Sequence, residues 1–257
     1  MLIAITRAVS PAMNRCEIGF IERQEIDLAK ADEQHRQYQA CLEELGASVV
    51  SLPAEPEYPD SVFVEDAAVV VDETAIVTRM GAASRRGEGD TLARALAPYR
   101  PLRWQLEPAT LEGGDVIRIG RTLYVGLSSR TNHAGLQHLA SELEPLGYSV
   151  VPVPVRGALH LKSACCYLGE GAILANRDWL DLEPLREFYV IDVAPGEDRA
   201  ANVLEIGGTV LIPGCFPGTA EILARSGRQV LPVDVSELMK AEAGITCCSL
   251  IFEDSVT

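Results

Sequence analysis

Short apolar runs separated by polar turns recur along this chain in one arrangement. From Val62 to Thr78 it reads VFVEDAAVVVDETAIVT, two runs hinged at Asp72-Glu73, and their wealth of β-branched residues predicts a hairpin. A helical stretch after Arg86 and a strand around Leu102 to Leu106 complete the unit. The second copy begins at Asp115 with VIRI, turns at Gly120-Arg121 and returns as TLYVGL. Its helix runs from about Asn132 to Leu146, with Leu136, Leu139, Leu143 and Leu146 on one face and Gly147 as the stop, and strand Ser149 to Val155 follows. The third runs from His160 through Gly169-Glu170-Gly171 to Leu174, then a helix predicted from Trp179 to Phe188 and strand Tyr189 to Val193. The fourth starts at Asn202 and turns at Gly207-Gly208. It then passes through a helix from Thr219 to Arg225, ended by Gly227, into strand Gln229 to Val233.

A fifth hairpin opens at Cys247, but only CCSLIFEDSVT remains of the chain. Its missing parts lie at the other end: strand Leu2 to Thr6, a helix from about Asp27 to Leu45 and strand Ser48 to Leu52. Pairing the termini closes a ring. The unit starts, Val62, Asp115, His160, Asn202 and Cys247, are spaced by 53, 45, 42 and 45 residues. This regularity predicts an α/β fold, a five-bladed pseudo-symmetric propeller of ββαβ units, in which radial repetition protects the strand edges. A doubly wound sheet needs strict β-α-β alternation, which the hairpins contradict. The whole of 1–257 is read as a single domain.

Composition narrows the setting. Of 257 residues, 47% are hydrophobic and 23% charged, which excludes long disorder and coiled coil. Apolar runs fall short of the roughly 20 residues of a membrane helix, and Met1 to Thr6 lacks the basic lead of a signal peptide, so a cytoplasmic location is expected. Thirty-seven acids against 22 Lys and Arg give a net charge of −15. That field repels nucleic acid and favours a cationic small molecule. Seven cysteines, an odd number, point to reduced thiols. The absence of Cys-x-x-Cys, His-Glu-x-x-His, Walker and Gly-x-Gly-x-x-Gly spacings leads us to expect neither a structural metal nor a nucleotide cofactor.

Superposing the units puts a polar residue at the head of each first strand: Glu65 and Asp66, Glu112 to Asp115, His160, Asn202 and Cys247. Pseudo-symmetry aims them at one central channel. Cysteine, histidine and carboxylate together are the parts of a thiolate nucleophile with an oriented acid/base partner. Alone, Cys247 is more often a small buried hydrophobe and His160 a structural histidine. Glu65 and Asp66 interrupt what otherwise reads as a core strand, so a cation is required there, either an internal arginine or a guanidinium ligand. Gly113-Gly114 permits close backbone approach beside Glu112 and Asp115. Arg85 and Arg130 stand at equivalent places ahead of successive helices, where both can grip one carboxylate. An amino acid carrying a cationic end group answers both demands.

These segments resemble the dimethylarginine dimethylaminohydrolases of the pentein, or guanidino-modifying, superfamily. The matches are DSVFVEDAAVV at 60–70, SRRGE at 84–88, LEGGDV at 111–116, GLSSRTN at 126–132, LHLKS at 159–163, AANV at 200–203 and ITCCS at 245–249. Together they cover nearly the whole chain in order. The resemblance implies a pentein catalytic domain with Cys247 as nucleophile, His160 as general acid then base, and Glu112 supporting the histidine. Asp60, Glu65 and Asp66 would hold the guanidinium and α-amino end, and Arg85 and Arg130 the α-carboxylate. A lid carrying Ile18 would close over the ligand, and the backbone of Ala241 would touch it. The implied reaction turns Nω-methylated arginine into citrulline and methylamine or dimethylamine through a Cys thiouronium, without metal or cofactor. A cysteine hydrolase of arginine or citrulline, and a non-catalytic binding module, are the alternatives, and a homodimer is left open. The chain departs from the family pattern at Glu242, usually Asp, at Ala241, usually larger, and in the lid CEIGFIERQEID.

Overall fold

A computed structural model describes residues 1–254. The chain begins with β1 (Leu2–Arg7), α1 (Leu28–Glu44) and β2 (Ser48–Leu52). Asp27 starts α1 by accepting the backbone N–H groups of Ala29 and Lys30, each at 3.1 Å. There follow β3 (Ala68–Val70), β4 (Ala75–Val77), α2 (Gly89–Leu96) and β5 (Leu102–Trp104). Next come β6 (Val116–Ile119), β7 (Thr122–Leu127), α3 (His133–Leu143) and β8 (Ser149–Pro154). The one-turn helix α4 (Leu161–Ala164) leads into β9 (Cys165–Tyr167), β10 (Ala172–Ala175) and β11 (Tyr189–Asp192). The last described elements are β12 (Leu204–Ile206), β13 (Thr209–Pro213), α5 (Pro217–Arg225), β14 (Gln229–Val233), α6 (Ser236–Met239) and β15 (Leu250–Glu253).

These strands form five three-stranded sheets, each an antiparallel hairpin followed by a parallel third strand. The predicted closure holds: β15 pairs antiparallel with β1, which pairs parallel with β2. The core is divided in the same way. Each of five apolar clusters draws on two neighbouring sheets. Ile3, Ile5 and Phe252 pack with Ala75, Leu92 and Leu96, and Ala4, Tyr38 and Leu42 with Ile206, Leu211 and Val233. Three-stranded sheets with strands of three to six residues bury too little alone, and the ring gives each face a partner. Among the described residues no helix is long and apolar enough to cross a membrane, and all seven cysteines are free.

Two expectations need correction. The helix expected from Trp179 to Phe188 is instead a pair of 3-10 turns, Arg177–Trp179 and Glu183–Leu185. Pro184 denies that stretch a backbone donor and prevents a continued helix. The polar residues at the blade heads do not interrupt strands either. Val64–Ala67, Gly113–Asp115 and Thr246–Cys248 are 3-10 turns, and α4 follows His160, so each polar group sits one turn ahead of its strand. Cys248, on the last of these 3-10 turns, is buried in the apolar cluster. The tail 255–257 of the expected fifth hairpin lies outside the described residues.

Candidate active site

The turns at the heads of the blades meet at the centre of the ring. Close approach there is bought by two glycines. A Cβ on Gly113 would sit 1.9 Å from the Glu65 carbonyl oxygen, and one on Gly114 would lie 2.7 Å from His160 Nδ1 and 2.8 Å from Asp66 Oδ1. Only hydrogen at those positions lets the second blade's turn lie against the first and third.

Glu112, with no exposed surface, is the hub. Its Oε2 contacts His160 Nε2 at 2.8 Å, and its Oε1 accepts the backbone N–H groups of Gly81 and Ala82 at 3.0 and 3.4 Å and Arg130 Nη1 at 3.4 Å. Burial opposes its charge, but His160, Arg85 and Arg130 hold the carboxyl far below the usual range. His160 shows the converse. Burial disfavours its imidazolium, yet Asp66 at 3.9 Å, Glu112 and Asp115 raise it to about 9, so it carries its proton at neutral pH. Asp115 accepts Ser128 Oγ at 2.6 Å, Thr131 Oγ1 at 2.7 Å and the Leu161 N–H at 2.8 Å. Through that last bond it fixes the turn following His160.

Asp66 accepts the Gly114 N–H at 3.0 Å and Arg85 Nη1 at 2.8 Å. Glu65 accepts Lys162 Nζ at 2.6 Å and Thr246 Oγ1 at 2.7 Å, which ties it to the residue before Cys247. Cys247 Sγ accepts the Gly244 N–H at 3.3 Å. Burial, then the charges of Glu65 and Asp66, push its thiol well above the ordinary cysteine range. Cys247 and His160 are not hydrogen-bonded to each other, but Asp66 acts electrostatically on both.

Six buried acids, Asp60, Glu65, Asp66, Glu88, Glu112 and Asp115, face four basic side chains, Arg85, Arg130, Lys162 and His160. One cavity touches the cluster and a second lies against the loop before Cys247. One of about 330 Å³ reaches Glu65, Lys162 and Thr246 from the first strands of the blades. The other, of about 230 Å³, is lined by Phe20, Ile21, Asn202, Ala243 and Gly244 among others. Ala243 and Gly244 in its lining belong to the loop that donates to Cys247. Asp66, Glu112 and His160 offer ligand atoms within 4.8 Å of one another. Arg85 and Arg130 already neutralise those carboxylates, so a metal ion would enter against two guanidinium charges.

The comparisons agree with this geometry. Residues 10–251 match the family model for N,N dimethylarginine dimethylhydrolase, eukaryotic. The chain is 40% identical over 248 residues to N(G),N(G)-dimethylarginine dimethylaminohydrolase of Streptomyces coelicolor, which is 96% of this chain and 95% of that protein. This chain belongs to the dimethylarginine dimethylaminohydrolase family. The Pseudomonas aeruginosa enzyme of that name, solved as a mutant with citrulline, superposes with a TM-score of 0.92 at 33% identity, covering 97% of this chain and 98% of that one. A further dimethylarginine dimethylaminohydrolase structure, a mutant in adduct with S-methyl-L-thiocitrulline, gives 0.93 at 33% identity and covers 98% and 100%.

Within this family member the ring brings Glu65, Asp66, Arg85, Glu112, Arg130, His160 and Cys247 into one cluster. Asp60 is buried beside it and accepts the Glu17 N–H on both oxygens at 3.2 Å. Ala241 belongs to the apolar cluster against which Ile18 and Cys247 pack. Arg85 differs from expectation. It is 4% exposed, and its fork is filled by Glu88 at 2.9 Å and Asp66 at 2.8 Å. In this conformation Arg130 is the guanidinium with donors to spare. The buried carboxylates likewise have internal partners, Arg85 for Asp66 and Lys162 for Glu65. Lys162 and Glu88 escaped the sequence reading. Each stands within a few residues of one that was named, two after His160 and three after Arg85, and the need to neutralise a buried charge was the available signal.

Proposed function

We infer that this protein hydrolyses Nω-methylated arginine to citrulline and an alkylamine, using Cys247 as nucleophile, and that the ring of five blades works as one catalytic domain. The observation that carries this reading is the surplus of buried acid around a protonated histidine and a thiol. A planar cation entering between Glu65, Asp66 and Cys247 supplies the missing positive charge, and the same charge lowers the thiol's proton affinity. The site is therefore reactive mainly when occupied. Citrulline in the similar Pseudomonas aeruginosa structure and the thiocitrulline adduct in the other support the substrate class and the covalent step.

With the cation bound, the Cys247 thiol releases its proton to solvent, and the thiolate attacks the guanidinium carbon. His160, charged before reaction, protonates the departing dimethylamine as the C–N bond breaks, leaving a thiouronium on sulfur. Neutral His160 then takes a proton from water, hydroxide adds to the same carbon, and the adduct collapses to citrulline as its hydroxyl proton passes to the departing sulfur, restoring the thiol. Glu112 keeps the imidazole oriented and charged, and Arg130 meets the α-carboxylate. Incubating Cys247→Ser with dimethylarginine should give binding without citrulline, and mass spectrometry of the acid-quenched wild type should find an adduct on Cys247. Full turnover by the serine variant would refute the mechanism.

A further inference from the structure

The lid and the nucleophile loop meet at one side chain that the reaction scheme does not use. The backbone N–H of Gly19 donates to Glu242 Oε2 at 3.0 Å, and those of Ile21, at 2.7 Å, and Phe20 donate to Oε1. Successive N–H groups converging on one carboxylate form a concave anion seat, and charge makes each bond stronger than a neutral one. Glu242 is 7% exposed and has φ +61°, a left-handed conformation that costs a non-glycine residue energy. A position that keeps a side chain despite that cost is using the side chain.

Glu242 precedes Ala243 and Gly244, and Gly244 donates to Cys247 Sγ. Phe20 and Ile21 line the cavity of about 230 Å³ together with Glu242, Ala243 and Gly244. At its N-terminal side the same lid is tethered by the Glu17 N–H to Asp60. Ile18 thus lies between two backbone anchors, Glu17 on Asp60 and Gly19 on Glu242.

We propose that Glu242 is a positioning residue, a latch that holds residues 18–21 closed over the catalytic pit. The proposal rests on the reading of that pit as a dimethylarginine site. Opening for substrate breaks three hydrogen bonds to one carboxylate, and closing restores them, so the free energy of the latch is part of substrate retention. Because the acceptor sits beside the nucleophile loop and not on the lid, closure is registered against Cys247 directly.

Two variants test it. E242Q keeps the shape but replaces one acceptor oxygen with an NH2 that opposes the lid's donors. E242G removes the acceptor and leaves the left-handed turn unstrained. Arg23, exposed on the lid segment, is a tryptic site. Expected are cleavage after Arg23 faster by about tenfold in E242Q and more in E242G, and a KM for dimethylarginine raised about tenfold with kcat changed far less. The unfolding temperature should stay near that of wild type. Wild-type cleavage rates in both variants, or faster cleavage with an unchanged KM, would overturn the latch. If wild type itself does not turn over dimethylarginine, the functional reading fails, and proteolysis with citrulline affinity still decides the latch.

Discussion

Glu112→Gln tests the electrostatic arrangement most directly. The substitution keeps the shape of a fully buried side chain and removes its charge, so His160 loses a charged hydrogen bond at 2.8 Å. Asp66 and Asp115 remain to hold the imidazolium against burial. A fall of about one to two pH units from the value near 9 follows, equivalent to about 1.4 to 2.7 kcal/mol less stabilisation of the charged ring. At pH 8 the protonated fraction drops from about 90% to between about 10% and 50%, and the step that needs His160 as acid slows about two- to tenfold beyond any loss of orientation. The assay is an NMR titration of the His160 ring in free enzyme, joined to kcat measured across pH for both proteins. An imidazole still titrating near 9 in the variant would show that Glu112 does not hold the proton, and the assignment of roles would fail with it.

Lys162→Met leaves Glu65 buried and without its cation, with about 3 to 5 kcal/mol of stability at stake, and chemical denaturation should show the loss. Gly114→Ala places a methyl against His160 and Asp66, so kcat should fall about 100-fold while circular dichroism remains native. Because His160 is raised on folding, its contribution is complete below its ordinary value near 6.5 and disappears as pH rises through about 9. Urea unfolding of wild type should therefore lose up to about 3 kcal/mol across that window, and His160→Gln should flatten the slope. An equal slope in both proteins would contradict the assignment.

Much of the site was legible because repetition converts position in a unit into position in space. Once Glu112, His160 and Cys247 occupied equivalent places, their convergence followed from the ring without any contact information. Glu65 and Asp66 were visible as acids inside an apolar stretch. Their partners were not, since Lys162 reaches Glu65 from another blade and Arg85 reaches Asp66 from a loop 19 residues along the same one, and nothing in spacing specifies which of several cations is within 3 Å. The local backbone differs as well: a charged pair inside VFVEDAAVVV reads as an interrupted strand, while the chain makes a 3-10 turn that ends before the strand begins.

The chain's own pattern determined the number of blades, the closure through β1 and β15, and the residue types at the heads of the units, because these follow from hydrophobic period and turn chemistry. Tertiary structure alone decided the protonation of His160, the filled fork of Arg85 and the seat of the lid on Glu242. Each depends on which charges lie within a few ångströms in a buried setting, where Coulomb forces are strong and partners come from any part of the chain.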